Sequence, residues 1–134
     1  MRWVSALMMM AGVWTARADD TGVRADSKPA FQNITVKEFE KMKGGTNVVI
    51  LDVRSEKEFK EGHIPGSVLI DVNSSSFEKE AAKLDRSKVY LVHCAVGVRS
   101  MKACNSMRGM EFTNLYNLRG GYKAWIADGN KGVK

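Results

Sequence analysis

The stretch Val89-Tyr90-Leu91-Val92-His93-Cys94-Ala95-Val96-Gly97-Val98-Arg99-Ser100 runs a β-branched, apolar strand straight into a short glycine-containing loop that opens a helix. Strand, loop and helix start in that order form the repeating unit of α/β sheets, which receive ligands at the C-terminal ends of their strands. A helix start leaves backbone N–H groups without partners and carries a positive partial charge, so a thiol there is driven toward the thiolate. Cys94 occupies that position, Arg99 adds a full charge beside it, and Gly97 allows the backbone to curl around the sulfur.

Working outward, strands and helices alternate. Val48-Val49-Ile50-Leu51 is a continuous apolar run, the pattern of an interior strand covered on both faces. Thr35 with Glu38, and Ser55 with Glu58, have capping-box spacing. They predict one helix with the stripe Val36, Phe39, Met42 that ends at Gly44-Gly45, and a short one through Phe59. Gly62-His63-Ile64-Pro65-Gly66 reads as a turn before a strand over 67–72, and Ser74-Ser75-Ser76 precedes a helix with Phe77, Ala81 and Leu84 on one side. Beyond the Cys94 loop a helix runs to about Arg108 with Gly109 as its stop, a strand covers 112–118, and a last helix after Gly120-Gly121 carries Tyr122 and Trp125. The alternation predicts a mostly parallel sheet with helices on both faces.

The 134 residues suffice for one domain with a substantial core. Arg2, an apolar stretch from Trp3 to Trp14, and Ala16-Arg17-Ala18 before two aspartates read as a secretory signal peptide over 1–18. A polar, flexible lead-in over 19–32 and a domain over 33–130 follow, and the product is expected to be exported, periplasmic or secreted. The apolar stretch is shorter than the roughly 20 residues that span a bilayer, so no stable membrane span is expected after cleavage. The net charge of +6 falls by two when Arg2 and Arg17 leave, and the remaining basic residues are interspersed with acids. No nucleic-acid partner is expected from such a surface.

Cys104, about six residues into the helix that follows Cys94, lies about 9 Å along its axis, beyond disulfide reach, and reads as an inert core thiol on the stripe Met101, Cys104, Met107. Asp52 ends the interior strand, and Arg54 and Glu58, four residues apart across the corner that follows, are natural members of one structural ion-pair network. His63 beside Pro65 is expected to fix a turn by hydrogen bonding, and His93 to point its side chain to the face opposite Cys94. With two histidines in the chain, no metal site is expected. Trp125 reads as packing.

Leu51-Asp52-Val53-Arg54 with Glu58-Phe59 and Gly62-His63-Ile64-Pro65-Gly66-Ser67, then Cys94 to Ser100, then Leu118-Arg119-Gly120-Gly121-Tyr122 with Trp125, together resemble the rhodanese family. The likeness runs from about Ile34 to Asp128. The resemblance implies a three-layer fold with a five-stranded, mostly parallel sheet, and a sulfurtransferase in which Cys94 carries sulfane sulfur as a persulfide without a cofactor. It also implies a small anionic donor such as thiosulfate, or a persulfide carrier, and a thiol or cyanide-like acceptor. Ala95, Val96, Gly97, Val98, Arg99 and Ser100 would form the substrate loop, while Asp52, Arg54, Glu58, His63, Gly120 and Gly121 would hold the fold. Cysteine-dependent phosphatases of related fold have five residues between cysteine and arginine; this chain has the shorter His93-Cys94-x4-Arg99. Rhodanese loops that favour thiosulfate often carry additional basic residues, whereas Ala95, Val96 and Val98 are apolar, which suits a protein- or thiol-borne persulfide. A non-catalytic partner-binding module and an exported thiol redox protein are the other functions open to these residues; the second lacks a C-x-x-C pair. The sulfurtransferase reading requires the Cys94 sulfur to lie in a ring of amide hydrogens and not in the core.

Overall fold

The computed structural model describes residues 31–134, so the expected signal peptide and residues 19–30 of the lead-in lie outside the described residues. Five strands, β1 (Gln32–Ile34), β2 (Val48–Asp52), β3 (Val68–Leu69), β4 (Val89–His93) and β5 (Leu115–Leu118), form one sheet in the order β1-β5-β4-β2-β3. Every pairing is parallel. Five helices connect them: α1 (Val36–Met42), α2 (Glu56–Glu61), α3 (Phe77–Ala81), α4 (Val98–Gly109) and α5 (Gly121–Ala127).

Side-chain alternation along the strands divides the core in two. Leu51 and Val92 face Phe77 and Ala81 of α3 and Ala103, Cys104 and Met107 of α4. Their neighbours Ile50 and Leu91 face Phe39 of α1 and Trp125 of α5. The result is three layers, with β4 at the centre of the sheet and α2 at the strand ends. Both capping boxes form, Thr35 with Glu38 and Ser55 with Glu58, which fixes where α1 and α2 begin.

Several boundaries differ from the expected ones. β1 starts at Gln32, inside the expected lead-in, and pairs with β5 through Gln32 and Tyr116; Phe31 before it is half-buried against the core. Three residues, two of them polar and exposed, carry no periodic signal, and only the pairing makes them a strand. β3 shrinks to two residues, and Phe112 is fully buried ahead of β5. Gly109 lies inside α4; the left-handed residue that reverses the chain is Glu111, at φ 73°. Met101 is partly exposed, so the buried stripe of α4 is Ser100, Ala103, Cys104 and Met107. Past the expected end at 130, Val133 exchanges two 2.8 Å backbone hydrogen bonds with His63.

Candidate active site

β4, flanked by β2 and β5, delivers Cys94 to the C-terminal edge of the sheet. Gly97 turns the chain at φ 104° and caps α4, a conformation that side chains with a Cβ rarely adopt. The turn folds the loop back on the sulfur: the Gly97 N–H donates to Cys94 Sγ at 3.0 Å, and the Val96 and Ser100 amides also act on it. Burial pushes the thiol up, but hydrogen bonding from the Ser100 side chain and from the Ser100, Gly97 and Val96 amides outweighs it and holds Cys94 below the usual cysteine value. Cys104, with no such donors, is pushed up to about 12 by burial and by the neighbouring Cys94.

Cys94 has no exposed surface, and its side chain belongs to the same cluster as Val53 and Cys104. A sulfur clear of the core is therefore not what the fold provides. One side of it packs against the core and the other faces the amides, so reaction requires the loop to admit a donor.

The start of α5 braces the loop from behind. The Tyr122 and Lys123 N–H groups donate to the carbonyls of Cys94 at 2.8 Å and Ala95 at 3.0 Å. Gly121, at φ 63°, makes this approach possible: a Cβ there would fall 2.5 Å from the Cys94 carbonyl oxygen and 2.6 Å from the Ala95 carbonyl. The Gly120-Gly121 pair thus fixes which way the loop carbonyls, and hence its amides, point.

The expected ion-pair network divides into two. Arg54 forks onto Asp52, with Nη2 at 2.7 Å from Oδ2, and a second bond from Nη2 holds the Gly62 carbonyl. Glu58 does not pair with Arg54. It grips Arg99 bidentately at 2.8 and 2.9 Å, so the arginine expected to meet an anionic donor already has a carboxylate partner. That pair and the Ser55 cap, against the opposing effect of burial, hold the Glu58 carboxyl at about 2. The reason is reach: Arg54 turns back onto Asp52, two residues earlier, while α4 carries Arg99 across to the exposed side of α2.

His63 donates from Nδ1 to the Phe59 carbonyl at 2.8 Å and stacks on that ring, which fixes the turn. His93 is fully buried, with Nε2 unpartnered 3.8 Å from Asp52, and burial lowers it to about 4. Trp125 is buried, and its indole N–H reaches Glu40 on α1. Ser100 and Asn117 are buried polar residues in contact, and Asn117 was not expected in the site; its trace in the sequence is one amide set in the apolar strand Leu115-Tyr116-Asn117-Leu118. Tyr122 lies under the Arg54 guanidinium, 4.4 Å from ring centre to carbon.

The mouth of the site is apolar. Val96 is 52% and Val98 65% exposed, with Met101 beside them. A groove of about 400 Å³ between Val96, Tyr122, Lys123, Glu58 and Glu61 leads to the loop. Among the described residues no cluster of His, Cys, Asp or Glu suited to a metal ion occurs, and no helix is long and apolar enough to cross a membrane.

The profile of the Rhodanese-like domain family matches residues 35–128. The chain is 36% identical over 91 residues to the uncharacterized protein YqhL of Bacillus subtilis, covering 68% of this chain and 71% of that one. It is 27% identical over 96 residues to the thiosulfate sulfurtransferase GlpE of Shewanella oneidensis, covering 72% and 93%. Among solved structures, a rhodanese-related protein from Thermoplasma volcanium superposes with a TM-score of 0.65 at 29% identity, over 77% of this chain and 98% of that one.

Proposed function

Since the chain belongs to the rhodanese-like family, we propose that it is an exported sulfurtransferase whose Cys94 thiolate takes a sulfur atom from a persulfide-bearing thiol or protein more readily than from thiosulfate. The observation that carries this reading is the Cys94 sulfur under the Gly97 amide at 3.0 Å, with two further loop amides acting on it. In the first half-reaction the thiolate attacks the outer sulfur of R–S–SH, the S–S bond of the donor breaks, and RS⁻ leaves with the bonding pair. In the second, an acceptor thiolate attacks the outer sulfur of the Cys94 persulfide and returns Cys94 as the thiolate. The amides stabilise the anionic sulfur in both resting forms without moving.

The donor preference follows from charge. A thiosulfate dianion would have to compete with Glu58 for the half-buried Arg99 guanidinium, Ala95, Val96 and Val98 offer it no charge, and Lys123 shares the groove with the acids Glu58 and Glu61. A carrier with an apolar surface around its persulfide gains contact with Val96, Val98 and Met101 instead. Export would depend on the apolar N-terminal segment of residues 1–18.

The test weighs the intact protein after exposure to thiosulfate or to a small-molecule persulfide at equal concentrations. One added sulfur atom on wild type, faster with the persulfide and absent in Cys94→Ser, is the expected result. No added sulfur from either donor, or the same gain in Cys94→Ser, would overturn the assignment.

A further inference from the structure

Behind the Cys94 sulfur runs a chain of side chains that the transfer reaction does not itself use. Ser100 Oγ lies 3.5 Å from Sγ and donates its hydrogen to Asn117 Oδ1. Asn117 Nδ2 in turn donates to Asn33 Oδ1 at 2.8 Å, on the exposed edge strand β1. The direction of each bond follows from the one before it. With its NH2 group committed to Asn33, Asn117 can present to Ser100 only its oxygen, and a hydroxyl has one hydrogen to give. In this rotamer Ser100 therefore turns lone pairs toward the sulfur, where they accept from a thiol S–H, and the hydroxyl lowers the Cys94 pKa only once its hydrogen has left Asn117 for Sγ.

We propose that Asn117 is a positioning residue that holds the Ser100 hydroxyl in its thiol-accepting rotamer, so that Asn33, Asn117 and Ser100 together set how readily Cys94 gives up its proton. The loop amides favour the thiolate in either rotamer. The hydroxyl is the adjustable element: it stabilises the thiolate only by swinging its hydrogen from Asn117 to Sγ, which leaves the buried Asn117 oxygen unpartnered. Asn117 and the thiolate thus compete for one hydrogen, and the resting thiol is kept less ionised than the amide cradle alone would make it. This restraint suits a sulfur meant to react with an incoming persulfide and not with stray electrophiles.

The charged and titratable groups around the thiol stay the same in both rotamers. They are Arg99 and Cys104 from α4, His93 from β4 itself, and the pair of Asp52, which ends β2, and Arg54 just beyond it.

The inference rests on Cys94 as the nucleophile, but its readout is the thiol's titration and not sulfur transfer, so either can fail alone. The experiment follows alkylation by iodoacetamide against pH in the full chain carrying Cys104→Ala, so that one thiol is counted. Access scales the rate at every pH and leaves the midpoint unmoved. Asn117→Leu, which removes the competing oxygen, is expected to lower the midpoint by about one unit, equivalent to about tenfold more thiolate at a fixed pH below it. Asn33→Ala is on the surface and leaves the core intact; it frees the Asn117 amide to turn its NH2 toward Ser100 and is expected to lower the midpoint in the same direction. In a Ser100→Ala background both shifts should vanish. An unchanged or raised midpoint in Asn33→Ala, or shifts that persist without the Ser100 hydroxyl, would overturn the proposal.

Discussion

Arg99 reaches the groove with its charge already engaged by Glu58, and this single pairing decides how the site meets an anion. An arginine with a free guanidinium attracts a dianion strongly, while one in a bidentate carboxylate pair attracts it only to the extent that the pair opens. Glu58→Gln isolates the effect, because glutamine can still close the capping box with Ser55 that starts α2. Thiosulfate turnover, as kcat/KM, is expected to rise by about threefold to tenfold in this variant, while turnover of an uncharged persulfide donor changes little. The Arg99 hydrogen bonds, against the opposing effect of burial, hold the Glu58 carboxyl at about 2, so the wild-type pair stays ionised down through the acid range. The stability it contributes is present above the usual carboxylate value near 4.5 and fades only as pH falls toward about 2, so the variant's gain should not depend on pH above about 4.5. Equal thiosulfate kinetics in the two proteins would mean that Arg99 takes no part in receiving the donor.

Among the elements, α5 has the role least visible in sequence. Gly120-Gly121 reads as a fold motif, and its consequence lies across the structure, where the first amides of α5 hold the Cys94 and Ala95 carbonyls. Gly121→Ala would drive a Cβ into backbone atoms that have no room to yield, at a left-handed φ that already disfavours it. The expected outcome is a rise of the Cys94 pKa toward the ordinary cysteine value and a loss of transfer of at least about tenfold, by alkylation titration and donor assay. Full activity with an unmoved thiol would show that α5 does not brace the loop. What local chemistry dictates was legible beforehand: two capping boxes, the apolar runs of β2 and β4, and a glycine where the Cys94 loop must turn. What pairing dictates was not. β1 is a strand because β5 offers it an edge, Glu111 takes the left-handed position expected of Gly109, and Val133 is held by His63 from 70 residues away. The partners of Arg54 and Glu58 failed for a related reason: four-residue spacing is a rule for one helix, and these two lie on either side of a corner.

On the scale of the whole molecule, the sheet gathers Asp52, Arg54 and His93 at the same C-terminal edge as Cys94, all of them buried. Asp52 and Arg54 satisfy each other, while His93 is kept neutral by burial, only partly offset by the Asp52 carboxylate. A histidine near 6.5 in the unfolded chain and about 4 in the fold makes the unfolded state the better proton binder between those values. Its neutral form is accommodated in full above about 6.5, and folding stability must therefore decline as pH drops from about 6.5 to about 4, then level off for this group. The difference between those values corresponds to roughly 3 kcal/mol over the window, a sizeable fraction of a small domain's stability. His93→Leu keeps the volume apolar, removes the unpartnered nitrogen and cannot bind the proton. Urea unfolding of both proteins at pH 7, 5.5 and 4 should show wild type losing stability relative to the variant at each step. Parallel curves would mean that the fold leaves the His93 pKa at its unfolded value, and a wild type that gains stability relative to the variant as pH falls from 7 would mean that the Asp52 carboxylate holds His93 protonated beneath the sulfur.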